Sequence, residues 1–204
     1  MPTSTNALEF YFDFSSPYAY IASEEIEAVA TRLDRPVQWH PILLGAVFKE
    51  TGGAPLTELH PAKAAHSIRD FARSAAFAGV PYRHPSPFPI GTVTAARAVL
   101  WMQRTRPRDA APFIHAVFRD FFINGRNISD AAVIGLIGAG FGVDPSELAV
   151  GVKDESIKAA LKDEIDTAMT RGVFGVPTVF VDGEMFWGHD RLPQVERWAS
   201  QGPF

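Results

Sequence analysis

The sequence predicts an α/β fold, with a strand–helix–strand unit at one end, a long helical block, and a strand–strand–helix unit at the other. Three observations carry this reading. Residues 7–14 (ALEFYFDF) are apolar and aromatic almost throughout. Residues 45–172 show helical periodicity and almost no strand character. Near the C-terminus, Asp182-Gly183 separates two short apolar runs.

Continuous apolarity in residues 7–14 suits a strand buried on both faces. Ser16 is a favoured N-cap and Pro17 a favoured first helical residue, and Tyr20, Ile21, Ile26, Val29 and Leu33 then recur near helical spacing. Residues 37–43 read as a second strand, parallel to the first because a helix joins them. Helices are expected at 61–78, 93–105, 109–122, 129–139, from Asp144 onward, and at 154–171. Asp144-Pro145-Ser146-Glu147 is a well-formed start signal. Pro81, Pro85, Pro87 and Pro89 forbid regular structure between the first two of these helices. Residues 176–181, the Asp182-Gly183 turn and EMFW form a hairpin, and RLPQVERWAS is a closing helix. This order is a thioredoxin-like core (residues 1–44 and 173–204) interrupted by an all-helical insertion (45–172).

With 204 residues, 47% hydrophobic and 21% charged, the chain can bury a core without a metal or disulfide staple. Cysteine is absent, which removes disulfide chemistry, thiolate metal sites and a cysteine nucleophile. A net charge of -4 and a pI near 5.8 give no footprint for nucleic acid. The apolar run at 131–143 is too short and too glycine-rich to span a bilayer. No basic segment precedes an apolar one near residue 1, so a cytoplasmic protein is expected.

Three segments carry candidate chemistry. In Asp13-Phe14-Ser15-Ser16-Pro17-Tyr18, free amides and the helix dipole favour an anion by about 0.3–1 kcal/mol, up to about 2 when partly buried; Ser16 is alternatively only a helix cap. In Gly172-Val173-Phe174-Gly175-Val176-Pro177-Thr178, a proline heading a buried strand suggests a cis Val176–Pro177 bond that turns the Val176 backbone toward a ligand, or a simple strand entry. In Phe186-Trp187-Gly188-His189-Asp190-Arg191, Asp190 serves either as an N-cap or as an acceptor for a ligand ammonium.

Taken together, FYFDFSSPYAYIAS and GVFGVPTVFVDGEMFWGHDRL resemble the 2-hydroxychromene-2-carboxylate isomerase family, which stands with kappa-class glutathione transferases in the DsbA-like branch of the thioredoxin superfamily. The resemblance runs over essentially the whole chain. Where DsbA-like oxidoreductases carry CxxC, this chain has Ser16-Pro17-Tyr18-Ala19, so redox cycling is excluded. The resemblance implies glutathione as cofactor. It places the Ser16 hydroxyl against the glutathione sulfur, pairs the Val176 backbone, before a cis Pro177, with the peptide, and sets His189 and Asp190 at the γ-glutamyl end. Lys63 would lie near a glutathione or substrate carboxylate, with Tyr18 and Arg69 also toward the substrate. Gly53 and Gly91 stand where relatives often carry asparagine, and His189 replaces a smaller polar residue.

The histidines show no HExxH or paired metal spacing, and Ser15 and Ser16 lie in no GxSxG elbow. Arg69 and Arg73, one turn apart, either meet an anionic substrate or form a solvated face. The group Phe113, Val117, Phe118, Phe121 and Phe122 reads mainly as core. The expected function is therefore glutathione-dependent cis–trans isomerisation of a small aromatic oxo acid. A kappa-like transferase or a non-catalytic thioredoxin-fold binding protein are the alternatives. Related proteins are often dimers, so a homodimer is also an expectation.

Overall fold

In the computed structural model, which describes residues 6–204, β1 (Leu8–Phe12), β2 (Val37–Pro41), β3 (Thr178–Val181) and β4 (Glu184–Trp187) form one sheet in the order β2-β1-β3-β4. The apolar first strand is central: β1 runs parallel to β2, with Phe10 beside Trp39, and antiparallel to β3, with Phe10 opposite Val179. Helix α1 (Pro17–Arg32) makes the crossover between β1 and β2, as the strand–turn–helix signal requires. The Asp182-Gly183 hairpin forms with both residues at positive φ, 52° and 86°.

Between β2 and β3 come α2 (Leu44–Thr51), α3 (Pro61–Phe77), α4 (Val93–Thr105), α5 (Pro107–Phe122), α6 (Ala131–Ala139), α7 (Pro145–Gly151) and α8 (Glu155–Thr170); α9 (Leu192–Gln201) closes the chain. Three strands are shorter than their apolar runs. β1 stops at Phe12, where Asp13 begins a turn; β2 stops at Pro41; and β3 starts after Pro177, which has no N–H for the ladder. Helix α2 was not expected from the sequence. Its N-cap, Leu43, makes no side-chain cap bond.

Aromatic packing joins the sheet to the helical block. The ring of Phe118 on α5 stands 5.6 Å from Phe12, 4.7 Å from Phe14 and 5.9 Å from Tyr20. An ion pair repeats the α1–α5 contact nearer the surface: Arg119 donates from Nε and Nη2 to the two oxygens of Glu24, at 2.9 and 2.6 Å. Among the described residues no helix is long and apolar enough to cross a membrane.

Half-burial pushes the Glu24 carboxyl up, but His115 and the Arg119 guanidinium more than offset this and hold it at about 2, against an ordinary 4.5. A carboxyl whose folded value is depressed contributes stability that is complete above the unfolded value and lost as pH falls through the folded one. Urea midpoints of the wild type should therefore fall between about pH 4.5 and 2 more steeply than those of Glu24→Gln. Parallel curves for the two proteins would contradict the pairing.

Candidate active site

Ser16 is the N-cap of α1, extended at φ -96° and ψ 114°, and its Oγ accepts the Ala19 amide at 3.1 Å. Pro17 has no N–H, and the Tyr20 amide is bonded to the Ser16 carbonyl, so the Tyr18 amide is left for a ligand at this helix end. The Ser16 hydroxyl donates to the Val176 carbonyl over a long 3.4 Å. That carbonyl belongs to the Val176–Pro177 bond, which is cis as the sequence suggested. Two segments from opposite ends of the chain thus meet at one buried hydroxyl.

Asp13, almost fully buried, holds this turn in place. Its Oδ1 accepts the Ser15 amide (2.9 Å), the Ser15 hydroxyl (3.0 Å) and the Thr92 hydroxyl (2.8 Å), and its Oδ2 accepts the Leu44 amide at 2.7 Å. Burial pushes the carboxyl up, and these four donors oppose that push. Thr92 sits at the N-cap of α4 but makes no cap bond there, because its hydroxyl is turned to Asp13 instead. Asp13 therefore caps α2 from a distance and ties both α2 and the start of α4 to the Ser16 turn. The sequence reading placed Asp13 in the turn without giving it a role. The available signal was a lone carboxylate ending an aromatic strand.

Beside this turn opens a cavity of about 920 Å³. Tyr18 forms part of its wall. Its ring stacks on His189 at 4.9 Å and 5°, meets Phe71 edge-on at 5.1 Å, and its hydroxyl donates to Asp70 at 2.6 Å. Burial and the Asp70 carboxylate both raise the Tyr18 phenol, while the bond from Tyr18, with Arg73 nearby, lowers Asp70. Burial lowers His189 although Asp190 and Asp70 pull the other way. Gly188 has φ 121°, and a Cβ there would come within 2.5 Å of Asp190 Oδ1, so glycine is required for Asp190 to sit where it does. Trp187, 4.8 Å from Phe174, covers the backbone at Gly175.

Of the residues singled out from sequence, Ser16, Tyr18, Val176, Pro177, His189 and Asp190 all line this cavity. Lys63 and Arg69 do not: both are exposed on α3 and lie outside the wall. Gly91 lines the cavity, with open space where a side chain would be. A Cβ at Gly53 would meet the Phe48 ring at 2.6 Å. Among the described residues no group of three or more His, Asp or Glu is placed to hold a metal.

Residues 7–198 match the family model of the DSBA-like thioredoxin domain. The chain is 28% identical to a 2-hydroxychromene-2-carboxylate isomerase of Sphingobium xenophagum, over 95% of this chain and 98% of that protein. It is 25% identical to glutathione S-transferase kappa 2 of Caenorhabditis elegans, over 97% and 92%. A solved structure of a 2-hydroxychromene-2-carboxylate isomerase superposes with a TM-score of 0.84 at 25% identity, covering 93% of this chain and 92% of that one.

Thr92→Val keeps the shape of the side chain and removes one donor from a buried carboxylate, so it should cost about 1.5–3 kcal/mol. Urea unfolding measures this directly. A loss below about 0.5 kcal/mol would mean that the Thr92–Asp13 bond positions nothing.

Proposed function

Because the chain belongs to the DSBA-like thioredoxin domain family and yet has no cysteine, we propose that it borrows its sulfur, acting as a glutathione-dependent cis–trans isomerase. The substrates would be conjugated aromatic oxo acids of the 2-hydroxychromene-2-carboxylate and trans-o-hydroxybenzylidenepyruvate type. The observation that carries this reading is the Ser16 hydroxyl, buried at the N-terminus of α1 and beside the Val176 carbonyl, at the edge of a cavity large enough for two small molecules.

The residues present fit glutathione. Asp190 offers a carboxylate to an ammonium, and the Val176 backbone lies free of the β3 ladder for a peptide. The α1 N-terminus favours an anionic sulfur. When bound, glutathione supplies a thiolate that adds to a conjugated carbon, leaves a single bond free to rotate, and departs unchanged. The Ser16 hydroxyl, held by its bond to the Ala19 amide, can leave the long contact with Val176 and donate to that sulfur, which favours the ionised form. Aromatic residues from α3 and the proline-rich loop, Phe71 and Phe88, offer surfaces against which a planar substrate can pack.

In a pH titration of glutathione bound to the protein, followed by thiolate ultraviolet absorbance, the thiol should ionise well below its free value. In Ser16→Ala it should move back up by about one unit, equivalent to about 1.4 kcal/mol of lost thiolate stabilisation. An unshifted thiol in the wild type, or identical curves for both proteins, would remove Ser16 from the chemistry and leave it as a helix cap.

A further inference from the structure

We infer that Trp187, supported by Phe174, is the residue that selects an aromatic electrophile, by stacking on its ring at the sulfur end of the cavity. The inference deepens the thiol-dependent reading above and rests on it for the reaction. Of the Phe, Tyr and Trp rings in the cavity wall, those of Tyr18, Phe48, Phe71 and Phe88 are buried or half-buried, whereas Phe174 and Trp187 are 43% and 52% exposed. Open aromatic surface beside a cavity marks a place where an apolar ligand packs. The two rings meet edge to face at 4.8 Å, which supports the indole from one side.

The backbone sets where that surface lies. Strand β4 places Trp187 opposite Thr178, and the Gly188 amide donates to the Pro177 carbonyl at 2.9 Å. A Cβ at Gly175 would come within 2.7 Å of Trp187 Nε1, so the indole rests directly on the backbone of the residue before Val176. The Val176 carbonyl is the group that faces the Ser16 hydroxyl. The open indole therefore stands one residue from the point where the sulfur is expected. The chemistry needs a ring-binding surface there. Thiolate adds to an enone at the carbon β to the carbonyl, the electron pair moving to the carbonyl oxygen, and expulsion of the sulfur reverses both changes. In the oxo acids proposed above the β carbon carries the aromatic ring, so the ring lies one atom from the sulfur. Held against Trp187, the ring stays in place while the oxo-acid arm turns. Glutathione has no ring to offer this surface, so its own binding should not depend on the indole.

The test is isothermal titration of benzylidenepyruvate, and of its analogue with cyclohexyl in place of phenyl, into the wild type, Trp187→Ala and Trp187→Phe. Each titration is run with and without ophthalmate, a glutathione analogue whose methyl group in place of the thiol cannot react. Benzylidenepyruvate should bind Trp187→Ala about tenfold more weakly than the wild type, and Trp187→Phe within about threefold. The cyclohexyl acid should bind the wild type more weakly than benzylidenepyruvate does and change by less than about threefold in Trp187→Ala. Glutathione should bind all three proteins alike. Equal binding of benzylidenepyruvate to the wild type and Trp187→Ala, a matching loss for the cyclohexyl acid or for glutathione, or no binding of benzylidenepyruvate in either condition overturns the inference. A low thiol pKa in the wild type together with benzylidenepyruvate binding that ignores Trp187 would refute this inference alone. Trp187-dependent binding of benzylidenepyruvate with no bound glutathione would refute only the thiol-dependent reading.

Discussion

The Asp13 carboxylate, buried where β1 ends, accepts bonds from the Ser15 turn, from the first amide of α2 and from the hydroxyl of Thr92 ahead of α4. Three segments take their positions from this one side chain. Taking a carboxylate out of water is costly unless its oxygens are satisfied. The four donors satisfy them, and in doing so they bring the helical block up to the α1 N-terminus. The cavity is the space left between these parts. Its polar end comes from the sheet side and its apolar wall from the helices.

The same turn presents Ser16. In a family whose model is a thioredoxin domain, this chain has no cysteine, yet at this turn it holds a helix N-terminus and a capping hydroxyl, both of which favour an anion, beside a backbone carbonyl at a cis proline. The stacked Tyr18–His189 pair adds an aromatic edge between that turn and the apolar wall of the cavity. Nothing in this arrangement supports redox cycling. It supports holding a thiol brought from outside.

What was legible in the sequence were features with local causes. Ser16 and Pro17 announce the start of α1 from adjacent positions, Asp182-Gly183 has the backbone freedom its hairpin needs, and Pro177 ahead of an apolar run indicates the cis bond. Features with distant causes were not legible. Helix α2 has its N-terminal amide satisfied by Asp13, across the fold, so no local cap marks it. The value of Thr92 to the site depends on the same carboxylate. Lys63 and Arg69 are of the right residue type on a helix near the site, but α3 buries Ser67, Phe71 and Ala75 and leaves both cations outside the cavity. Residue type suggested a role there, and in this structure the helix presents both side chains outside the cavity wall.

The central claim is that catalysis uses a sulfur the chain does not own and gives it back. The most direct measurement follows the cis–trans conversion of o-hydroxybenzylidenepyruvate at limiting glutathione, with free thiol counted at the end. Many product molecules formed per glutathione, full recovery of thiol, and no conversion without it are the expected result. Conversion without glutathione, or loss of one thiol per product, would contradict the account, the second outcome marking a transferase.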